Sequence, residues 1–318
     1  MKVPARITVS LLGAVTVLAA SAQTQAQTTT HSAPMEIVRG KPYVLATING
    51  KGPFRFILDT GTGGDAIVTT ELASLLALPE TGKIRLNDPS GQGGQPARVR
   101  LIDTLTVAGV DFYAIRAVEH PLLNADGPCD GMLGFTLFKG LLLTLDYPQN
   151  RLILAEGELE PDGDQTVHAF RMPDGVPIAD LTIGNVQVGA LLDSGGAGLS
   201  LPEHLASQLS FSADPAVFAR GESLSSRFPI KVGRLATDVH LGDITFDQPW
   251  VEVNPAFPLA NFGSVPMHHF AVTFDQDNLL VRFEGPSKRV NLGVTPSPVR
   301  LLNQPQPKPA DTALVPIG

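Results

Sequence analysis

The chain has 318 residues, 43% of them apolar, which is material for one large domain or two ordinary ones. Only 17% are charged, and 31 Gly and 27 Pro favour short strands and frequent turns over long helices. The net charge of −8 argues against nucleic-acid and anionic-membrane binding, and the single cysteine, Cys129, excludes an internal disulfide and any Cys-rich metal site.

The first element is not part of a fold. Lys2 and Arg6 open an apolar stretch from Ile7 to Ala20, and Ala20-Ser21-Ala22 is a small-x-small site. Residues 1–22 read as a secretory signal peptide cut after Ala22, with Ala26 a second candidate site. A retained anchor is the alternative, for which the stretch is short. Cleavage removes two positive charges and leaves −10. The expected location is periplasmic or secreted, with no integral span after cleavage.

From Pro42 to Ile48 and from Phe54 to Leu58 the chain is strand-like, and the second run ends in Asp59-Thr60-Gly61-Thr62. Alone, that ending is an ordinary turn. A short helix around Glu71–Ser74 follows, then a Gly-rich stretch from Asn87 to Gln95 and a hairpin over Leu105–Phe112. Met132-Leu133-Gly134 precedes a strand–turn–strand unit with Asp146 at its turn. Residues 157–166 are polar and read as a linker, and the Pro-rich tail 294–318 has little pattern.

The second half repeats this order. Pro177 to Ile183 matches Pro42 to Ile48, each with Pro five residues before Thr-Ile. Ala190-Leu191-Leu192 runs into Asp193-Ser194-Gly195, which stands 134 residues after its counterpart. His204–Ser207 matches the helix, with Pro202 suited to its start. Val239–Phe246 matches the hairpin, and Gly263 precedes Asp275 by the same twelve residues that separate Gly134 from Asp146. Two repeats thus span 36–157 and 166–285, too long and too few for a solenoid.

Duplicated halves pack about a pseudo-two-fold axis as homodimers do about a true one, and an axis brings equivalent loops face to face. Asp59 and Asp193 would then share one proton, because two adjacent carboxylates do not both ionise cheaply. One accepts a proton from water and the other donates to a carbonyl oxygen. Gly61 and Gly195 let the backbones approach closely, and the Thr60 and Ser194 hydroxyls are placed to bond across the interface.

On these residues the sequence resembles the aspartic protease superfamily of pepsin and retropepsin, most of all the bacterial exported aspartyl proteases with two retropepsin-like repeats. Ile57-Leu58-Asp59-Thr60-Gly61, Leu191-Leu192-Asp193-Ser194-Gly195 and Met132-Leu133-Gly134 carry the likeness, which covers most of 36–285. It implies a mostly β, bilobal pepsin-like fold, with two β-barrel repeats about a pseudo-two-fold axis. It implies a monomer that hydrolyses a peptide or protein substrate with Asp59 and Asp193, without cofactor or metal. Thr60, Gly61, Thr62, Ser194 and Gly195 are the implied loop supports. The implied flap falls at Ser90, Gly91, Gln92 and Gly93, a stretch that lacks an aromatic residue and reads equally as a plain loop.

Two positions depart from the family pattern. Gly196 stands where the family has Ser, Thr or Ala, which leaves Asp193 without the support Thr62 offers Asp59. Asn261-Phe262-Gly263 has Asn in place of an apolar residue. These departures keep open an alternative: a peptide-binding or structural envelope protein on the same fold, without the chemistry. Other signals are weaker. Leu192 excludes a Gly-x-Ser-x-Gly nucleophile turn at Ser194. His268-His269 would point to opposite faces of a strand. Asp146 and Asp275 read as turn residues, Asp65 has no acidic counterpart, and Trp250 reads as core or cleft wall.

Overall fold

The computed structural model describes residues 29–293, apart from 87–93, 122–128, 164 and 223–226. The expected signal peptide, the candidate flap and the Pro-rich tail lie outside the described residues. The fold is mostly β and bilobal. Strands alternate buried and part-exposed residues, as half-buried sheets require. In Val186–Asp193, for example, Val188, Ala190 and Leu192 enter the core while Gln187, Gly189 and Leu191 stay partly or fully accessible.

Each half builds the same sheet. In the first, the order is Glu36–Val38, Lys41–Ile48, Lys51–Asp59, Gly131–Gly134, Ala66–Val68, Val110–Glu119, Gln95–Val107 and Glu80–Leu86. In the second, the order is Val167–Arg171, Ile178–Ile183, Val186–Asp193, Ala260–Gly263, Leu199–Pro202, Trp250–Asn254, Arg227–Arg234 and Ala216–Glu222. The element-by-element match extends to the helices Thr70–Leu75 and Glu203–Ala206. The first is capped by Thr69, whose hydroxyl accepts the Leu72 N–H at 3.1 Å. The second starts after Pro202 without a side-chain cap.

Between the lobes, six strands form a common sheet, in the order Thr30–Pro34, Arg151–Ala155, Leu142–Asp146, Ala271–Asp275, Leu280–Glu284, Val167–Arg171. Its middle pairing is antiparallel and centres on equivalent residues of the two repeats: Thr144 faces Thr273, and the pair Asp146–Ala271 mirrors the pair Asp275–Leu142. The Thr144 and Thr273 hydroxyls are 2.8 Å apart. A self-paired central residue is what a two-fold axis through the sheet produces.

Two details differ from the sequence reading. Thr30–Pro34 lies before the expected start of the repeat at 36, yet it pairs with Arg151–Ala155 along five residues. Its polar composition hides it, because an edge strand buries little. His268 and His269 follow the helix Ser264–Met267 and are not on a strand. The His268 ring packs on Tyr147 with centroids 4.7 Å apart, and its Nε2 lies 3.0 Å from the Gly40 carbonyl. Among the described residues no helix is long and apolar enough to cross a membrane.

Candidate active site

Asp59 and Asp193 are each the last residue of a strand whose alternate side chains are anchored in the core. Phe56, Leu58, Ala190 and Leu192 are at most 1% exposed. Strand alternation therefore turns Ile57, Asp59, Leu191 and Asp193 to the opposite face. Each aspartate is pinned by a parallel neighbour from the same half, Asp59 against Gly134 and Asp193 against Gly263.

The two loops then lock together by reciprocal hydrogen bonds. The Thr60 N–H donates to Ser194 Oγ at 3.0 Å, and the Ser194 N–H donates to Thr60 Oγ1 at 2.9 Å. Each hydroxyl donates onward to the opposite strand, Thr60 to the Leu192 carbonyl at 2.6 Å and Ser194 to the Leu58 carbonyl at 2.7 Å. Both residues are fully buried. In such a place every donor and acceptor has to be paired, and all of these are.

The lock sets each carboxylate against the glycine of the opposite loop, Asp193 at Gly61 and Asp59 at Gly195. The Gly61 N–H donates to Asp59 Oδ1 and the Gly195 N–H to Asp193 Oδ1, both at 2.9 Å. A methyl group on Gly61 would lie 2.6 Å from Asp193 Cγ, and one on Gly195 would overlap the Asp59 carboxylate. Glycine is required at both places because each backbone passes against the other half's acid. Among the described residues no group of three or more His, Cys, Asp or Glu is arranged to hold a metal ion.

The surroundings of the two acids differ. Desolvation, then the negative charge of Asp193, pushes the Asp59 carboxyl up to about 7 from its ordinary 3.8. The Thr62 hydroxyl and the charge of Lys41 pull the other way, more weakly. Three N–H groups converge on Asp193: those of Gly195, of Gly196 at 2.8 Å, and the Asn261 side-chain amide, whose Nδ2 donates to Oδ2 at 2.6 Å. Such an array offers hydrogen-bond donors alone to the Asp193 side chain.

Residues 44–137 match the model of an aspartyl protease family. Over this segment the chain is similar to an aspartyl protease domain. The matched segment holds Asp59, its loop and Met132-Leu133-Gly134, and it ends before Asp193. No curated protein matches the chain.

Compared with the matched segment, the second half supports its acid by a different route. Thr62 assists Asp59 from the loop, and the strand behind it carries apolar Met132. At the equivalent places the second half has Gly196 and Asn261. A methyl group on Gly196 would lie 2.5 Å from Asp193 Oδ2 and 2.8 Å from Asn261 Nδ2. The missing side chain at 196 is thus the space that Asn261 uses. Sequence reasoning treats these as two defects, but in three dimensions they are one exchange, a hydroxyl donor for an amide donor. The available signal was that both departures fall in the same half.

A prediction follows from this exchange. Asn261→Leu should lower kcat about tenfold or more, the cost of one charge-assisted hydrogen bond. Gly196→Ser alone should also be impaired by crowding against Asn261. The double variant Gly196→Ser with Asn261→Leu recreates the Thr62/Met132 arrangement and should recover much of the loss. Steady-state kinetics on the four proteins check it, and additive losses in the double variant would contradict the exchange.

The remaining candidates have local roles. Asp146 accepts from the Gln149 N–H at 3.0 Å and from Arg151 at 3.2 Å. Asp275 accepts from the Asn278 and Leu159 N–H groups at 3.0 and 2.9 Å. Asp65 accepts from the Thr136 hydroxyl at 3.0 Å. Trp250 is 37% exposed at the start of its strand and is not core. Tyr147, next to the turn residue Asp146, is buried, and its hydroxyl has no hydrogen-bond partner among the described residues. Burial, then the charges of Asp193 and Asp59, pushes its ionisation well above the usual tyrosine range.

Proposed function

We propose that the chain is an exported, monomeric aspartic endopeptidase in which Asp59 and Asp193 activate a water for attack on a peptide bond. The observation that carries the reading is the facing pair of carboxylates at the junction of two equivalent, reciprocally hydrogen-bonded loops. The aspartyl protease family match over 44–137 supports the reaction class. The apolar stretch at residues 7–20 supports export.

In this mechanism Asp193, held by three N–H donors, takes a proton from the attacking water. Asp59 holds the other proton and gives it to the carbonyl oxygen of the scissile bond. Collapse of the resulting gem-diol returns a proton to the departing amine nitrogen. The two carboxylates supply every proton transfer, so the pair titrates as one unit. The alternative of an inactive relative draws on Gly196 and Asn261, and the Asn261 amide on Asp193 favours the active reading over it.

Cleavage of an unfolded protein substrate over about pH 3 to 7, with and without a hydroxyl-bearing transition-state mimic such as pepstatin, tests the proposal. Cleavage is expected in the acidic range and should decline as pH rises through the Asp59 titration near 7. A well-folded protein that cuts nothing across this range would leave only the binding-protein alternative. Activity undiminished into alkaline pH would contradict the shared proton.

A further inference from the structure

Sheet register allows the two walls flanking the aspartates to be compared residue by residue. In the first half, Ile57 pairs with Met132, Met132 with Ile67, and Ile67 with Val118. In the second half the equivalent chain of pairs is Leu191 with Asn261, Asn261 with Ser200, and Ser200 with Glu252. Residues directly opposite on neighbouring strands project from the same face of a sheet. That face is the one Asp193 occupies, because Asn261 reaches its carboxylate. The alternate residues Phe262, Leu201 and Val251 fill the core on the other side.

One wall is therefore apolar throughout, and its symmetric partner reads Asn, Ser, Glu. Glu252 ends the polar row two strand spacings, roughly 10 Å, from Asn261. Its Oε1 lies 4.0 Å from the place a Cβ on Gly198 would take, at the end of the Asp193 loop. Among the described residues the Glu252 carboxylate has no hydrogen bond or ion pair. Two cations on the adjoining strand are engaged elsewhere, Lys231 with Glu203 at 2.5 Å and Arg234 with the Gln248 carbonyl at 3.0 Å. Desolvation without compensation raises the Glu252 carboxyl above its ordinary value. Trp250, two residues earlier on the same face, offers an exposed indole beside it.

We propose that Asn261, Ser200 and Glu252 form a subsite for a lysine or arginine side chain of the substrate, opposite an apolar subsite at Met132, Ile67 and Val118. This rests on the endopeptidase reading above. An extended peptide sends consecutive side chains to opposite walls, so the residues flanking the scissile bond would be one apolar and one basic. A long cationic side chain runs its stem past Asn261 and Ser200 and places its charge at Glu252, whose carboxylate has no partner among the described residues.

Two peptides with a non-cleavable reduced-amide bond test this. Both carry leucine on one side of that bond; on the other, one carries lysine and its twin carries norleucine. Their binding at pH 7 is measured by calorimetry with the wild type, Glu252→Gln and Glu252→Val. The wild type should favour the lysine peptide about tenfold or more, as one charge-assisted contact allows. Glu252→Gln should lose the preference. Glu252→Val, which copies Val118 of the other half, should reverse it. Equal affinity for the two peptides, no binding of either, or an unchanged preference in Glu252→Gln would overturn the proposal. The cleavable lysine peptide separates the two readings: a Glu252-dependent preference without hydrolysis upholds the subsite and rejects the protease.

Discussion

Asp59→Asn and Asp193→Asn should each reduce peptide hydrolysis by about a thousandfold or more, since each removes one partner of a concerted acid–base pair. The two variants should nonetheless fold, because Asn keeps the shape of the carboxylate and its contacts with Gly61 or Gly195. Their effects on stability should differ. The Asp59 carboxyl is pushed up to about 7 in the folded protein and ionises near 3.8 when unfolded. Between those values the folded state holds a proton that the unfolded state has released. The stability this group contributes is fully present below about pH 4 and is lost as pH rises toward 7, at no more than roughly 1.4 kcal/mol per pH unit. Asp59→Asn abolishes that loss.

Other groups titrate nearby with both signs. His120, His268 and His269 are pushed down by burial, so their contribution rises with pH. Asp162 and Asp275 are held below the ordinary carboxylate value, so theirs is lost only at lower pH. The difference between wild type and Asp59→Asn cancels them. Urea unfolding of both proteins at intervals from pH 4 to 7 measures it. The difference should shift steadily in favour of the variant as pH rises, and a constant difference would mean that Asp59 is not the proton holder.

Breaking the reciprocal lock should have the largest effect on the fold. Thr60→Val leaves the Ser194 N–H and the Leu192 carbonyl without their partner. Ser194→Ala does the same to the Thr60 N–H and the Leu58 carbonyl. Each buried group so orphaned costs about 1–3 kcal/mol, which corresponds to a fall in Tm on the order of 5–10 °C for either variant. Because the bonds are two-fold related, the two losses should be similar. Thr60→Ser keeps the hydroxyl and should stay near the wild type. Hydrolysis should fall with Tm in the first two variants, since the lock also sets the distance between the carboxylates. Scanning calorimetry and a kcat for each variant check both parts. Full activity in Thr60→Val would show that the acids are positioned by their strands alone.

Much of the architecture was legible because duplication writes the same local pattern twice. An apolar strand ending in Asp, a small hydroxyl residue and Gly is uninformative once, but a second copy 134 residues later, in the same order of elements, pointed to facing loops. The roles of Thr60, Ser194, Gly61 and Gly195 were readable from chemistry, since a hydroxyl bonds across an interface and a glycine permits close approach. The strand Thr30–Pro34 was not readable, because an edge strand of mixed polarity lacks the alternation that marks a half-buried one.

The sequence by itself determined the mostly β architecture and the two matching stretches around Asp59 and Asp193, because both are encoded in short contiguous stretches whose residue types suffice to identify them. Only the tertiary structure decided how Asp193 is supported and what its flank offers a substrate. Gly196 and Asn261 lie 65 positions apart, and they become one device only where a parallel strand passes behind the loop. Leu191, Ser200, Glu252 and Asn261 become neighbours only through the register of four strands. Register is set by packing of the whole lobe, and a one-residue slip would turn every one of these side chains to the other face.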